Sequence, residues 1–167
     1  MTEFAVRPLP TEEIETLCRL ADEIWHAHYP AIISKAQIDY MLARRYSPES
    51  IRASLETSFW LTAWHGQVMT GFAQAFADDA PSTWKLDKLY VHPDHQRKGV
   101  GQALLRRVTQ QAHNAGAARL ILCVNKRNTI ALAAYAKYGF RIYGQDVLDI
   151  GNGFVMDDYL LEMDLLP

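Results

Sequence analysis

The chain has 167 residues, 49% of them hydrophobic and 22% charged, a make-up that excludes disordered and collagen-like proteins. Its net charge of -2, from 17 Lys and Arg against 19 Asp and Glu, argues against a polyanion such as nucleic acid as its main partner. A chain of this length buries roughly 70% of its unfolded surface, so one domain spanning 1–167 is expected, with no disulfide or structural metal needed.

Phe4 to Pro8 alternates as a short strand, and Thr11 is placed to cap a helix whose apolar face is Ile14, Leu17, Ala21, Ile24 and Trp25. Ser34 to Arg44 and Ser47 to Leu55 read as two shorter helices, the second with proline at its first position. Phe59 to Trp64 and Gln67 to Ala77 form a hairpin turning at His65-Gly66, and Trp84 to Val91 is a further strand ended by Pro93. A helix from Gly99 to Gly116 leads to a buried strand, Leu120 to Val124. Asn128 to Tyr138 is helical, and strands near Arg141 to Leu148 and Phe154 to Asp164 close the chain.

The longest apolar run, Ile130 to Ala136, falls far short of the roughly 20 residues that span a bilayer. The first residues lack the basic and apolar regions of an export signal, and Cys18 and Cys123 are too few for a disulfide framework. A cytoplasmic protein with no membrane partner is expected. His92-x-x-His95 has no further ligand cluster beside it, so no metal is expected either.

The segment with the most chemistry is Gln96-Arg97-Lys98-Gly99-Val100-Gly101, between the Leu89-Tyr90-Val91 strand and a helix. Amides at a helix N-terminus lack intrahelical partners, and glycines without Cβ atoms let an anionic group approach them. A Walker loop would need Gly-Lys-Ser/Thr here, and a dinucleotide fingerprint would need three spaced glycines. Neither is present. A plain strand-to-helix turn with a solvated basic face is the competing reading.

This segment closely resembles the acyl-CoA loop of the GCN5-related N-acetyltransferases, Gln/Arg-x-x-Gly-x-Gly/Ala after a strand ending in Val-x-Pro. A second block of that family, Asn followed by Ala, Tyr and Gly-Phe at set spacings, is matched by Asn128, Ala131, Tyr135, Gly139 and Phe140. The resemblance implies an α+β fold with a mixed, mostly antiparallel sheet of about seven strands, helices on both faces and a splayed strand pair forming the cofactor cleft. It implies that acetyl-CoA is the cofactor. Its pyrophosphate would rest on Gln96, Arg97, Lys98, Gly99, Val100 and Gly101, and its pantetheine arm on Leu89, Tyr90, Val91 and Asn128. Asn128 also suits the cap of the helix that follows.

Acetylation of an amine needs a deprotonated nitrogen, a donor for the developing oxyanion and a proton for the leaving sulfur. By the resemblance Tyr135 is the general acid, and a phenol with a reference pKa of about 10 is protonated at neutral pH. The family's base is often a carboxylate on the strand before the loop, for which Asp87 is the nearest candidate. A surface charge paired with Lys85 is the alternative for that residue.

From Gln145 to the end, Asp146, Asp149, Asp157, Asp158, Glu162 and Asp164 occur with no Lys or Arg, which suits a small cationic amine such as a polyamine. The stretch from Gly151 to Tyr159 also looks like the matching hairpin of bacterial polyamine-acetylating members. Asp157 and Asp158, with Trp25, His28, Tyr29 and Tyr40 from the first helices, are the expected acceptor-site residues. A protein or peptide acceptor and a non-catalytic acyl-CoA-binding regulator are the alternatives, and a homodimer is the expected assembly.

Overall fold

Seven strands make one sheet in the order β1-β2-β3-β4-β5-β7-β6, in a computed structural model that describes residues 3–165. The strands are β1 (Ala5–Pro8), β2 (Phe59–His65), β3 (Val68–Ala77), β4 (Thr83–Val91), β5 (Arg119–Asn125), β6 (Arg141–Gly151) and β7 (Phe154–Asp164). All neighbours are antiparallel except β4 and β5. The helices are α1 (Ile14–His28), α2 (Lys35–Arg45), α3 (Pro48–Ser54), α4 (Val100–Asn114) and α5 (Thr129–Tyr138).

The helices divide between the two faces because the strand faces differ. Trp60, Phe72 and Met69 pack with Leu17, Ile24 and Trp25 of α1, Ile38 of α2 and Ile51 of α3. On the other face Leu61, Ala73, Leu86, Leu120 and Leu161 meet Leu104 and Val108 of α4 and Ala131 and Leu132 of α5. A serine caps each of the next two helices: Ser34 Oγ accepts from the Gln37 amide and Ser47 Oγ from the Ser50 amide. Thr11 does not cap α1. It opens a 3-10 turn, Thr11–Glu13, and the α-helix starts at Ile14 without a side-chain cap.

Two irregularities position the site. β4 and β5 pair only through Thr83–Lys85 against Arg119–Ile121, and beyond Lys85 they part. The β5-facing backbone of β4 from Leu86 to Val91 is therefore left without a strand partner. In the β3–β4 ladder Gln74 faces Lys88 and Ala75 faces Leu86, so Asp87 is the extra residue of a β-bulge. The two strands also press together at Gly71, where a Cβ would lie 2.8 Å from the Tyr90 carbonyl oxygen.

The tip of the β6–β7 hairpin folds toward α2. Tyr40 Oη donates to the Ile150 carbonyl at 2.7 Å, and Gln37 Nε2 donates to the Val155 carbonyl at 2.8 Å. Arg127, before α5, donates to the carbonyls of Ile32 and Ala31 at 2.7 and 3.0 Å and ties the α1–α2 connection to the opposite side of the gap. Among the described residues no helix is long and apolar enough to cross a membrane.

Candidate active site

The parting of β4 and β5 opens a cavity of about 530 Å³, roofed by α1 and α2 and closed at one end by the β6–β7 tip. Leu89 and Tyr90 of β4, Val124 and Asn125 of β5, Asn128 and Tyr135 all line it, so the two sequence blocks meet in space.

The glycine loop lies at the N-terminus of α4. A 3-10 turn, Pro93–His95, leads into it, and Arg97 and Gly99 both take left-handed backbone, at φ 61° and 86°. The Gly99 conformation disfavours any side chain, although a Cβ there would touch nothing. A Cβ on Gly101 would meet only Val91 Cγ2 at 3.7 Å, an ordinary contact. Among the described residues the amides of Arg97 to Gln102 form no hydrogen bond with another part of the chain. A run of free N–H groups at a positive helix end, flanked by Arg97 and Lys98, fits a pyrophosphate. Val91 and Gln96–Gly101 stand outside the cavity, so phosphate and reacting ends of a long donor would occupy different places.

Asn128 has a dual role. Its Oδ1 accepts from the Ala131 amide at 3.4 Å as the cap of α5 and also pairs with His28 Nε2 at 3.1 Å. His28, expected in the acceptor site, is absent from the cavity wall and instead contacts Asn128. Tyr135 is half-buried, edge-on to Phe140 at 5.4 Å, and burial pushes its phenol well above the usual range. It therefore keeps its proton at neutral pH and can donate it.

Asp87 proves to be an ion-paired carboxylate. Arg45 Nη2 and Lys88 Nζ both lie 2.8 Å from its Oδ2, while Lys85 makes no ion pair with it. Burial pushes its carboxyl up, but Arg45 and Lys88 outweigh that and hold it down at about 2. So acidic a group is a poor proton acceptor, which speaks against Asp87 as the base. Lys88 is only 7% exposed, donates to Gln74 Oε1 at 2.6 Å, and is drawn below its ordinary value by burial, which Asp87 partly offsets. Nothing in the sequence linked Arg45 to Asp87, since the two are brought together only by the packing of α2 on the bulge.

The adjacent acids Asp157 and Asp158 separate as strand alternation requires. Asp157 points away, pairs with Lys126 Nζ at 2.8 Å and is absent from the cavity wall. Asp158 lines the cavity, is 6% exposed and makes no hydrogen bond or ion pair among the described residues; its Oδ1 is a buried orphan. Burial, then the neighbouring Asp157, raise its carboxyl to about 6. The hairpin is less acidic than its composition suggests, because Arg119 and Arg141 bind Glu162 and Arg141 also binds Asp164. Trp25 and Tyr29 line the roof within an aromatic cluster, with Tyr29 Oη 2.9 Å from Tyr90 Oη. Tyr40 lines the wall and spends its hydroxyl on the hairpin tip. Among the described residues no three His, Cys, Asp or Glu side chains gather to hold a metal ion.

Fold and site together define a class: transferases that seat a phosphate-bearing donor along the open edge of a parted sheet. Residues 15–140 match the acetyltransferase (GNAT) family, and the chain belongs to it. A spermidine N(1)-acetyltransferase of Thermoplasma acidophilum is 27% identical over 160 residues, 91% of this chain and 94% of that protein. The PaiA N-acetyltransferase of the same organism, solved in complex with coenzyme A, superposes with a TM-score of 0.82 at 24% identity, covering 97% of this chain and 99% of that one. A GCN5-related N-acetyltransferase structure from Rhodopseudomonas palustris gives the same TM-score at 22% identity, over 98% and 97% of the two chains. The protein is an acetyl-CoA-dependent N-acetyltransferase.

Proposed function

We propose that the chain is one catalytic domain that transfers an acetyl group directly to a primary amine of a small cationic molecule of the polyamine class, with donor and acceptor held together. The observation that carries this reading is the Asp158 carboxylate, unpaired among the described residues, in the cavity that Tyr135 also lines. An ammonium group satisfies an orphaned buried carboxylate better than a neutral group can. The 27% identical spermidine acetyltransferase supports the same acceptor class. Acetyl-CoA supplies an activated acyl thioester. The amides of Arg97 to Gln102 would hold its pyrophosphate, the open edge of Leu89 to Val91 and Asn128 its amide-bearing arm, and Tyr135 would protonate the departing sulfur.

The clamp from Tyr40 and Gln37 to the hairpin tip closes one end of the cavity, which supports a small acceptor over a peptide. Retention of a protonated Tyr135 on the wall supports catalysis over a purely regulatory acyl-CoA sensor. A homodimer is supported by the edge strand β6, which exposes Ile142 and Val147, and two free cysteines support a cytoplasmic location. Purified protein assayed with acetyl-CoA against polyamines, monoamines, amino acids and peptides, reading released thiol, tests the acceptor. Polyamines should give the highest kcat/KM; amino acids or peptides outperforming them would overturn the assignment.

A further inference from the structure

Deprotonation of the acceptor has no obvious agent once Asp87 is tied to Arg45 and Lys88. We propose that Asp158, on β7, is the general base that takes the proton from the acceptor ammonium, an inference that rests on the transferase reading above. The geometry is specific. Asp158 stands opposite Asn125 of β5 and Asp146 of β6, and both Asp158 and Asn125 line the cavity. It shares that cavity with Tyr135, the expected acid, which comes from α5 on the other side of the sheet. Base and acid drawn from opposite faces of the gap can act on the two ends of one bond exchange, nitrogen arriving and sulfur leaving.

Its surroundings are mixed. Asp157 beside it on β7 and Asp146 on β6 push the carboxyl up, while Arg45 of α2 and Lys85 of β4 pull it down; Asp87 and Tyr90 of β4 and Asp149 of β6 share the cavity. Burial is the largest influence. It leaves Asp158 ionised at neutral pH yet far more basic than Asp87, and burial works against the charge of an ammonium brought beside it while their pairing favours it.

The step balances. An N–H bond of the ammonium breaks, its proton goes to Asp158, and the electron pair stays on nitrogen. That pair forms the C–N bond as the C–S bond breaks, its electrons passing to sulfur, which takes the Tyr135 proton. Of the two protons left on nitrogen, one passes to the Tyr135 phenolate and the other stays as the amide N–H, while Asp158 releases one proton to solvent.

The test compares wild type with Asp158→Asn and Asp158→Glu, using the best amine of the panel above. In wild type, log kcat/KM should bend on the acid side with an apparent pKa near 6. Asp158→Asn should lose about 10²- to 10⁴-fold at pH 7, lose that bend, and rise tenfold per pH unit toward the amine's own pKa. A less basic fluorinated analogue of the same amine should recover most of the loss. A carboxyl carbon signal titrating near 6 in the ligand-free protein, absent from Asp158→Asn, gives a readout independent of turnover. A raised KM with kcat and the acid bend unchanged would reduce Asp158 to an anchor and overturn the proposal. If Asp158→Asn does not fold, judged by thermal stabilisation with coenzyme A, the wild-type titration and the Asp158→Glu profile carry the test. A wild type inert toward every amine refutes the acceptor reading instead, and the carboxyl titration still decides whether Asp158 can take a proton.

Discussion

Replacing Asp87 by Asn keeps the shape of the side chain and removes its charge, leaving Arg45 and the 7% exposed Lys88 without their shared anion. Two routes give the cost. The carboxyl falls from its ordinary 3.8 to about 2 in the fold, and at about 1.4 kcal/mol per pKa unit this is linkage of about 2 kcal/mol. Breaking one partner of a buried pair generally costs about 3–5 kcal/mol, and Lys88 keeps Gln74 as a partial substitute. A loss of about 2–4 kcal/mol is expected. With unfolding entropy near 2.1 cal/mol/K per residue, a chain of this size loses about 3 °C per kcal/mol, so Tm should drop by about 6–12 °C. Because the folded pKa is depressed, the stabilisation is fully present above pH 4 and fades as pH falls toward 2. Calorimetry of both proteins from pH 8 to pH 3 should therefore show a constant gap that narrows only below about pH 4. The neighbouring change Asp158→Asn should have the opposite sign. Its raised carboxyl penalises the fold increasingly as pH climbs from 3.8 to about 6, so the variant should be more stable at pH 8 by about 1–2 kcal/mol. An Asp87→Asn protein with unchanged Tm, or a gap that widens in acid, would refute the ion-pair account.

Acetyl-CoA at 100 times its dissociation constant should stabilise the native protein by about 2.7 kcal/mol, and Gly99→Val should abolish that shift because φ of 86° excludes a branched side chain; an unchanged shift would remove the loop from the cofactor site. Tyr135→Phe should retain the coenzyme A thermal shift while turnover falls by about 10²- to 10⁴-fold, and unchanged turnover on a verified amine would end its role as acid. Asp157→Asn, which loses only an exposed pair with Lys126, should leave the amine KM within about twofold, whereas a large rise would show that this side chain reaches the acceptor.

What the sequence determined by itself was the local part of the protein. Helix faces, the hairpin, the Ser47 cap and the glycine loop rest on contacts a few residues apart and were legible, although the turn falls at Gly66-Gln67, one residue past His65-Gly66. Thr11 failed because a capping residue is compatible with either an α-helix or a 3-10 turn, and the following residues chose the turn. The site was readable where motif spacing carries backbone chemistry, as at Gln96–Gly101, and unreadable where charges meet across the fold. Asp87 read as a base or as a surface charge paired with Lys85 until α2 delivered Arg45 to it, and alternation let only one of Asp157 and Asp158 face the cavity, which pairing with β5 and β6 decided. Six acidic residues near the end of the chain suggested an acidic basin, but Lys126, Arg119 and Arg141 neutralise three of them, and these partners lie on β5, on β6 and in the connection to α5. A carboxylate's proton affinity depends on what surrounds it within a few ångströms, and for residues far apart in sequence only the tertiary structure decides that.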